Sequence, residues 1–268
     1  MSCIDQIGHQ IFLDGFPKRI ISVVPSQTEL LYDLGLENEV VGITKFCIHP
    51  KKWFETKTRV GGTKTLDLEK IKQLKPDLII ANKEENTKEQ IEKLQKLFPV
   101  WTSNIRNLSE SLEMIKQVGK MTHTEKKSIE IISKIEEDFS YLSTLKKQPK
   151  STLYFIWKKP YMSVGKNTFI NDMMTRTGFS NALETTENYP VLSEKQISTI
   201  NPQLILLSSE PYPFKEKHLA TFKNLCPSTN VILVDGEMFS WYGSRLTKTV
   251  QYLFNLHTKT NYHTSNEL

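Results

Sequence analysis

The stretch from Thr124 to Lys147 constrains the fold of this chain more than any other. It contains no proline or glycine, and its apolar residues recur at steps of three and four, the period of one helix face: Ile129, Ile132, Ile135, Phe139 and Leu142. Thr124 suits the N-cap position, and Lys146 and Lys147 suit the negative end of the helix dipole. A helix of this length runs roughly 35 Å, about the diameter of a small domain. It is either an amphipathic surface helix or a rod that joins two lobes.

Strand-like and helix-like segments alternate on both sides of this helix. Short apolar runs typical of buried strands lie at residues 20–24, 40–43, 78–81, 99–102, 153–157, 204–209 and 230–234. Amphipathic runs typical of helices lie at residues 26–34, 67–74, 89–97, 108–120, 168–177, 193–200, 219–225 and 245–256. A hairpin that turns at Asp14-Gly15 is predicted before the first buried strand. This alternation predicts mainly parallel sheets with helices on both faces.

Capping residues mark several predicted helix ends. Ser26, followed by Glu29 three residues later, fits a capping box. Asp67 and Ser193 are the other predicted N-caps, and Gly35 and Gly178 are predicted to end their helices. Residues 44–54 are predicted as a loop, and the polar tail after His257 is predicted to fray.

Two sequence patterns occur in the same order in the N-terminal and C-terminal halves of the chain. Residues 66–80 and 192–206 both read as helix, proline and strand, while residues 31–40 and 174–183 match through Gly35 and Gly178. Helix–proline–strand is common in α/β proteins, so chance similarity is the alternative to duplication. Duplication predicts an N-terminal α/β lobe at residues 1–122, a linking helix at 123–148 and a C-terminal α/β lobe at 149–268. Such lobes bind ligands at the carboxyl ends of their strands.

Composition and spacing exclude several classes of protein. The formal net charge of +5 is spread along the chain without a basic run interleaved with aromatics, so nucleic acid is not the expected partner. Three cysteines without a CxxC pair and six scattered histidines predict neither a disulfide framework nor a preformed metal site. If the N-terminus is native, the lack of a secretory signal there predicts a cytoplasmic protein.

Six phrases of the sequence, taken together, resemble one family. They are RIISVVPSQTELLYDLG, VVGITKFCIHP, VGGTKTLDLEKIKQLKPDLIIA, YMSVGKNTFINDMM, YPVLSEKQI and MFSWYGSRL. In this order they resemble the helical-backbone metal receptors, the substrate-binding proteins of ABC importers for cobalamin, haem and ferric siderophores. The similarity is greatest to the cobalamin-binding branch. The resemblance implies a type III periplasmic binding protein-like α/β fold, with two lobes joined by one long backbone helix and a mainly parallel sheet flanked by helices in each lobe.

The resemblance also implies a set of ligand-binding residues in loops after the strands. In the N-terminal lobe they are Pro25, Ser26, Gln27, Phe46, His49 and Thr63, and in the C-terminal lobe Tyr161, Met162, Tyr189, Phe239, Trp241 and Arg245. Flat aromatic walls with a few polar groups suit a corrin or porphyrin ring, which is a large apolar plate with polar arms. The cobalamin-binding branch carries tryptophans at the positions of Thr63, Asn82 and Tyr189, so this ligand can be a different corrinoid or another metal chelate.

Two further roles follow from the resemblance. The family docks its importer through one surface carboxylate per lobe; Glu69 matches the first, while the second aligns with Lys195 and leaves Glu194 one residue away. Ordinary solvated carboxylates are the alternative for both. His49 is a candidate axial ligand of the chelated metal, and a loop histidine without that role is the alternative.

The expected function is therefore capture of a metal chelate, most simply a cobalamin-like corrinoid, between the lobes and delivery to the membrane subunits of an ABC importer. No covalent cofactor is implied, and the family precedent is a periplasmic monomer. The alternatives are a cytoplasmic corrinoid or metal-chelate carrier, a haem or ferric siderophore binder, and an enzyme using Cys47 and His49. The sequence contains no nucleophile elbow, P-loop or GxGxxG motif that would support an enzyme.

Overall fold

The computed structural model describes residues 1–144 and 149–262, which divide into two compact units. The first unit contains Met1–Ile105, Ser109–Lys134 and Tyr242–Arg245, and the second contains Arg106–Leu108, Ile135–Trp241 and the chain from Leu246 onward. The lobe boundaries read from the sequence stay predictions. No helix within the described ranges has both the length and the apolar character needed to cross a bilayer.

The first unit is built on a parallel sheet of five strands in the order β5-β4-β3-β6-β7, with a separate hairpin of β1 and β2. Its strands are β1 (Ser2–Ile4), β2 (Gln10–Phe12), β3 (Ile20–Ser22), β4 (Val40–Ile43), β5 (Thr58–Arg59), β6 (Leu78–Asn82) and β7 (Val100–Ser103). The helices of this part of the chain are α1 (Pro25–Asp33), α2 (Lys51–Thr56), α3 (Leu68–Leu74), α4 (Lys88–Gln95), α5 (Leu108–Met121) and α6 (Glu125–Ser143). Buried Ile21, Ile71, Ile79 and Leu94 belong to one apolar cluster that joins strands to covering helices.

The second unit is built on a mixed sheet in the order β11-β9-β8-β12-β13, with β10 paired to β8. Its strands are β8 (Ser151–Trp157), β9 (Tyr161–Ser163), β10 (Ser180–Asn181), β11 (Val191–Leu192), β12 (Leu204–Ser208) and β13 (Asn230–Val234). Its helices are α7 (Phe169–Thr177), α8 (Glu194–Ile200), α9 (Leu219–Leu225), α10 (Glu237–Ser240) and α11 (Leu246–Tyr262). Strands β8, β10, β12 and β13 run parallel, whereas β9 pairs antiparallel with β8 on one side and with β11 on the other.

The repeated phrases of the sequence fold into the same topology in both units. The order β4-β3-β6-β7 in the first sheet corresponds to β10-β8-β12-β13 in the second. Helices α3 and α8 each have seven residues, and a side chain caps each N-terminus, from Asp67 and Ser193. Each also ends in the left-handed conformation, at Lys75 with φ 46° and Asn201 with φ 41°. The matched sequence phrases therefore correspond to matched structures.

The residue after the shared proline also has the same role in both units. The Asp77 carboxylate accepts hydrogen bonds from the backbone N–H groups of Lys18 (2.7 Å) and Arg19 (2.8 Å), just before β3. The Gln203 Oε1 atom accepts one from the N–H of Ser151 (3.0 Å), at the start of β8. Each side chain thereby ties the start of a central strand to the start of its parallel neighbour.

Two predictions near the N-terminus are wrong. The hairpin turns at residues 5–8 rather than at Asp14-Gly15, because the Asp5 carboxylate accepts from the N–H groups of Ile7 (3.0 Å) and His9 (2.7 Å). Ser26 is not an N-cap: α1 begins one residue earlier, with Pro25 at its start and Val24 at the cap position. Proline is favoured there because its fixed φ is already helical.

Three other differences concern helix positions. Helix α2 begins inside the predicted loop of residues 44–54 and ends at Thr56, and α11 continues to Tyr262 instead of fraying after His257. Threonine hydroxyls in that last helix bond back to carbonyls one turn earlier, and Thr260 is buried. In α6 the buried face includes Ile135, Phe139 and Leu142, whereas Ile129 is 59% exposed. The predicted helix end at Lys146 and Lys147 lies outside the described residues.

Replacement of the α8 cap gives a test of the fold. The Ser193 hydroxyl accepts from the N–H of Gln196 in a capping box, so Ser193→Ala should lower the free energy of unfolding by about 1 kcal/mol. Ser198→Ala is the matched control on the same helix, because the Ser198 hydroxyl only bonds back to the Glu194 carbonyl (3.0 Å). Urea unfolding measures both; equal effects of the two substitutions would contradict the capping assignment.

Candidate functional site

The carboxyl edge of the first sheet carries the candidate residues of that unit. Because its five strands run parallel, their carboxyl ends lie along one edge, where α/β proteins bind ligands. Pro25, Ser26 and Gln27 follow β3 at the start of α1, while Phe46 and His49 follow β4. Thr63 lies in the turn after β5. The fold therefore brings these six predicted residues to one edge of one sheet.

A buried network of amide and hydroxyl groups forms the floor of this edge. The Gln27 side-chain N–H₂ donates to the Ser103 hydroxyl, which also accepts from the Asn82 side chain (2.9 Å). The Ser103 hydroxyl in turn donates to the Ala81 carbonyl (3.1 Å). The Gln27 Oε1 atom is buried and has no hydrogen-bond partner within the part of the chain that the structure describes. An unpartnered buried acceptor is costly, so it favours any N–H or O–H group that reaches it, from water or from a ligand.

Asn86 joins three loops of the same edge. Its side-chain N–H₂ donates to the carbonyls of Val23 (3.1 Å) and Thr63 (3.0 Å), and its Oδ1 atom accepts from the Asn82 N–H (2.8 Å). The side chain of Thr63 is nearly buried, with 9% exposure. Asn86 therefore holds the loops after β3, β5 and β6 in fixed positions, although neither residue spacing nor resemblance identified it.

Phe46 is an exposed aromatic residue beside this polar floor. It is 51% exposed, and the Lys45 ammonium lies 5.1 Å from the centre of its ring. A Cβ atom at Gly62 would lie 3.2 Å from the Phe46 ring, so glycine there allows the ring to lie close against the backbone. His49 follows in the same loop and is half-buried. An exposed flat side chain next to buried polar groups suits a ligand with an apolar face.

Cys47, in the same loop, has the properties of a packed thiol and not of a nucleophile. It is fully buried, and its sulfur lies 3.1 Å from the hydroxyls of both Thr28 and Thr44. Burial raises the pKa of the Cys47 thiol, which keeps it protonated at neutral pH. Among the described residues, no group of three or more His, Cys, Asp or Glu side chains is placed to hold a metal ion. His49 as an axial ligand stays a prediction.

Thiol reactivity tests this assignment of Cys47. Cys3 is half-buried whereas Cys47 and Cys226 are buried, so a thiol reagent should modify Cys3 first and the other two only on unfolding. Burial raises the pKa of all three thiols, so reaction at Cys3 itself should be slow at pH 7. Mass spectrometry of the modified peptides checks the order. Rapid labelling of Cys47 in the folded protein would contradict it.

The segment Tyr242–Arg245 belongs to the first unit although it follows the strands of the second. The Arg245 guanidinium makes two hydrogen bonds to the Glu29 carboxylate, of 2.7 and 3.0 Å, and both side chains are almost fully buried. The Gly243 N–H donates to the Ser111 hydroxyl (3.2 Å), with Gly243 at φ 98°. Arg245 therefore lies in the first unit, unlike the prediction that grouped it with the C-terminal lobe, and its role in ligand binding stays a prediction.

Tyr242 brings a phenol to the same floor. Its hydroxyl lies beside Ser26 and Ser103, and burial raises its pKa well above the ordinary value. The nearby Glu85 carboxylate also raises the pKa of Tyr242. The phenol is therefore neutral at any physiological pH and acts only as a hydrogen-bonding group. Sequence reasoning missed Tyr242 because its partners lie far away along the chain.

The buried ion pair of Glu29 and Arg245 makes a stability prediction. Glu29→Gln removes the carboxylate charge that pairs with a buried guanidinium, so it should lower the free energy of unfolding by about 3 kcal/mol or more. Glu89→Gln is the control, because Glu89 pairs with Lys93 (2.6 Å) on an exposed helix face, where a pair contributes about 0–1 kcal/mol. Urea unfolding of both variants checks the difference. If Glu29→Gln lowered the free energy of unfolding no more than the control did, the ion pair would not be what holds the segment Tyr242–Arg245 in place.

The carboxyl edge of the second sheet carries most of the remaining candidates. Tyr161 and Met162 lie on β9, where Met162 pairs with Trp157 of β8 and with Val191 of β11. The candidate Tyr189 precedes β11 and is separated from Val191 by Pro190. Tyr161 and Met162 are half-buried, as is Tyr189. Burial raises the pKa of Tyr161, and the charge of Glu194 raises it further. The pairing of β9 with β11 places Tyr189 two residues before Val191, the partner of Met162.

Phe239 and Trp241 are more enclosed than a ligand-facing position requires. Phe239 is fully buried against Tyr154, with ring centres 5.1 Å apart. Trp241 is 7% exposed, and its indole N–H donates to the Glu210 carboxylate (2.9 Å). The same carboxylate accepts from the Ser240 hydroxyl (2.6 Å). These contacts show that Phe239 is a core residue of its unit. The ligand-binding roles of Phe239 and Trp241 stay predictions.

A basic cavity that the sequence did not suggest lies at the same edge. It has a volume of about 450 Å³ and is lined by Lys158, Lys159, Tyr212, Lys217 and His218. Lys158 and Lys159 follow the end of β8, and the other three follow the end of β12. Their only signal in the sequence was the presence of lysines in the segments that follow two strands, which the fold makes neighbours.

The two candidate docking carboxylates occupy corresponding helix starts. Glu69 lies in the first turn of α3 and Glu194 in the first turn of α8, and both are exposed. The Glu69 carboxylate lies 2.8 Å from the Lys72 ammonium on the same helix. Glu194 begins its helix directly after the Ser193 cap. Both positions are consistent with docking or with ordinary solvated carboxylates.

Comparison with known proteins gives the family. The profile described as periplasmic binding protein matches residues 20–224. The chain is 28% identical over 76% of its length to an uncharacterized ABC transporter substrate-binding lipoprotein, YvrC, of Bacillus subtilis (strain 168), of which it covers 68%. It is 30% identical over 72% of its length to a vitamin B12-binding protein of Vibrio cholerae, of which it covers 71%.

The fold is similar to that of solved proteins of the same kind. The crystal structure of the periplasmic vitamin B12 binding protein BtuF of Vibrio cholerae matches with a TM-score of 0.77 and 22% identity, over 92% of this chain and 98% of that one. The mainly parallel sheets with flanking helices are those of a type III periplasmic binding protein. The chain therefore belongs to the periplasmic binding protein family, whose members are substrate-binding proteins and not enzymes.

Proposed function

We propose that this protein binds a cobalamin-like corrinoid and delivers it to an ABC importer. The observation that carries the proposal is the neutral polar floor at the carboxyl edge of the first sheet, built from Gln27, Asn82 and Ser103. A corrin ring bears amide arms, which both donate and accept hydrogen bonds, as this floor does. The 30% identity to a vitamin B12-binding protein supports the same ligand class.

Aromatic residues at the edge of each sheet support a flat, largely apolar ligand. Phe46 is 51% exposed in the first unit, and Tyr161 and Tyr189 are half-buried in the second. Each aromatic side chain buries a large apolar area, so a few of them account for most of the affinity for a flat ring. The polar Thr63 and Asn82 make the first edge less apolar than in the cobalamin-binding branch. The presence of polar residues where that branch has tryptophans supports a related corrinoid as strongly as cobalamin itself.

Delivery to an importer is proposed from the relatives and from the helix starts. One relative is an ABC transporter substrate-binding lipoprotein. Exposed Glu69 and Glu194, at corresponding ends of α3 and α8, are the proposed contacts with basic side chains of the membrane subunits. This role requires the protein to act outside the cytoplasm, and cell fractionation would separate it from a cytoplasmic carrier.

A haem or ferric siderophore is the second candidate ligand. The lysine-lined cavity at the edge of the second sheet is the observation that favours it, because both kinds of chelate can carry anionic groups. The corrinoid is preferred because the floor of Gln27, Asn82 and Ser103 is neutral, and a buried neutral acceptor such as Gln27 Oε1 does not favour a carboxylate.

Titration with cobalamin, cobinamide, haem and a ferric siderophore tests the proposal. A corrinoid should change its absorbance on binding and stabilise the fold, by about 2.7 kcal/mol at 100 times the Kd. Phe46→Ala should weaken binding about tenfold or more, since it removes an aromatic contact. Phe12→Ala is the control, because Phe12 is 68% exposed on the separate hairpin and should not affect binding. Binding of haem alone, or equal effects of the two substitutions, would overturn the proposal.

A further inference from the structure

Three lysines converge on the cavity of the second unit without a compensating acid. Lys158 and Lys159 lie in the turn between β8 and β9, and Lys217 lies in a single helical turn at Glu216–His218. Among the residues described, none of the three ammonium groups forms an ion pair, and no carboxylate lines the cavity. Glu216, the adjacent acid, is exposed and outside the lining. Like charges that line one cavity repel one another, and an anion bound among them relieves that repulsion.

The cavity walls are held in place by hydrogen bonds and ring contacts. The Tyr212 N–H donates to the Ile156 carbonyl (3.2 Å), which ties the loop after β12 to the end of β8. The Tyr212 ring packs against Trp157, with centres 5.7 Å apart, and against Phe214, with centres 4.8 Å apart. Phe214 is buried. The basic residues therefore extend from a fixed base, which lowers the entropic cost of binding a ligand.

His218 supplies a neutral donor to the same wall. Its Nδ1 atom accepts from the Lys215 N–H (2.8 Å), which assigns the proton to Nε2, 3.4 Å from the Tyr212 hydroxyl. Burial lowers the pKa of His218, and the charges of Lys158, Lys217 and Lys215 lower it further. The imidazole is therefore neutral at pH 7, and the positive charge of the cavity comes from lysine alone.

We propose that this cavity is an oxyanion site that takes a phosphate group through Lys158, Lys159 and Lys217, with Tyr212 and His218 as neutral hydrogen-bonding partners. Ammonium groups bind phosphate oxygens strongly, because each supplies charge and N–H donors together. Ligand pockets usually have volumes of about 300–1,000 Å³, and this cavity of about 450 Å³ holds a phosphate together with the group that carries it. The phosphate is either the phosphodiester of a cobalamin-type nucleotide loop, which rests on the proposed function, or a free small anion.

Calorimetric titration with pyrophosphate at low salt tests the site without any corrinoid. Pyrophosphate should bind, and the Lys158→Gln/Lys217→Gln variant should lose at least about tenfold in affinity, since two charge-assisted contacts are removed. Lys116→Gln/Lys126→Gln removes the same charge from exposed positions outside the cavity and should change the affinity less than about twofold. Absence of pyrophosphate binding, or an equal loss in both variants, would overturn the site.

The imidazole of His218 gives an independent signal of the same event. A bound anion favours the imidazolium, so pyrophosphate should raise the pKa of His218, measured by NMR titration of its ring. The Lys158→Gln/Lys217→Gln variant should raise the pKa of His218 without ligand, because two nearby positive charges are gone. A pKa of His218 that does not respond to pyrophosphate would place the bound anion elsewhere and overturn the proposal.

Cobalamin and cobinamide distinguish the two sources of the phosphate, because cobinamide lacks the nucleotide loop and its phosphodiester. If the cavity receives that group, the wild-type protein should prefer cobalamin and the Lys158→Gln/Lys217→Gln variant should lose the preference. If a free anion is bound, the variant should lose pyrophosphate and keep both corrinoid affinities. Failure of both corrinoids to bind would contradict the proposed function, while the pyrophosphate titration would still decide the oxyanion site.

Discussion

Parallel strand pairing is the constraint on which the rest of this structure depends. It places the carboxyl ends of β3, β4, β6 and β7 along one edge and those of β8, β12 and β13 along another. The central strands β6 and β12 are buried along their whole length, so polar groups at their ends need partners inside the protein. Asn82 and Ser208, the last residues of these two strands, both bond to the loop that follows. The loops at each edge are therefore shaped by the strands that precede them.

Local sequence signals predicted those parts of the fold that local physics decides. Asp67 and Ser193 cap their helices as predicted, and Gly178 ends α7 in the left-handed conformation. Ser26 has the sequence of a capping residue, but the preceding Pro25 already occupies the first helical position and Glu29 binds Arg245. That competing interaction joins residues 216 positions apart, so local sequence patterns do not reveal it. Tertiary contacts therefore overrode local preference at this helix start.

The residues of the candidate site also divide into those that the sequence identified and those that only the fold brings together. Resemblance located the loops and so identified Gln27, Phe46 and Tyr161, which lie at the edges of the sheets. It did not identify Ser103, because the pairing of Gln27 with Ser103 depends on the register of β3, β6 and β7. It also missed Tyr212, whose place beside Trp157 depends on β8 and β12 being neighbours. Strand order, which single-sequence patterns do not specify, determines which loop residues meet.

The two edges differ in charge, and this difference bears on specificity. The first edge is built from neutral amides and hydroxyls, and the second adds three lysine ammonium groups. A buried acceptor such as Gln27 Oε1 discriminates against a ligand without a donor, because the lost hydrogen bond is not replaced by water. The more exposed lysines discriminate less, because solvent and salt screen them, but they attract an anionic ligand from a distance. For the ligand class proposed above, neutral buried groups should therefore contribute mainly to selectivity, and exposed lysines mainly to the rate at which an anionic ligand is captured.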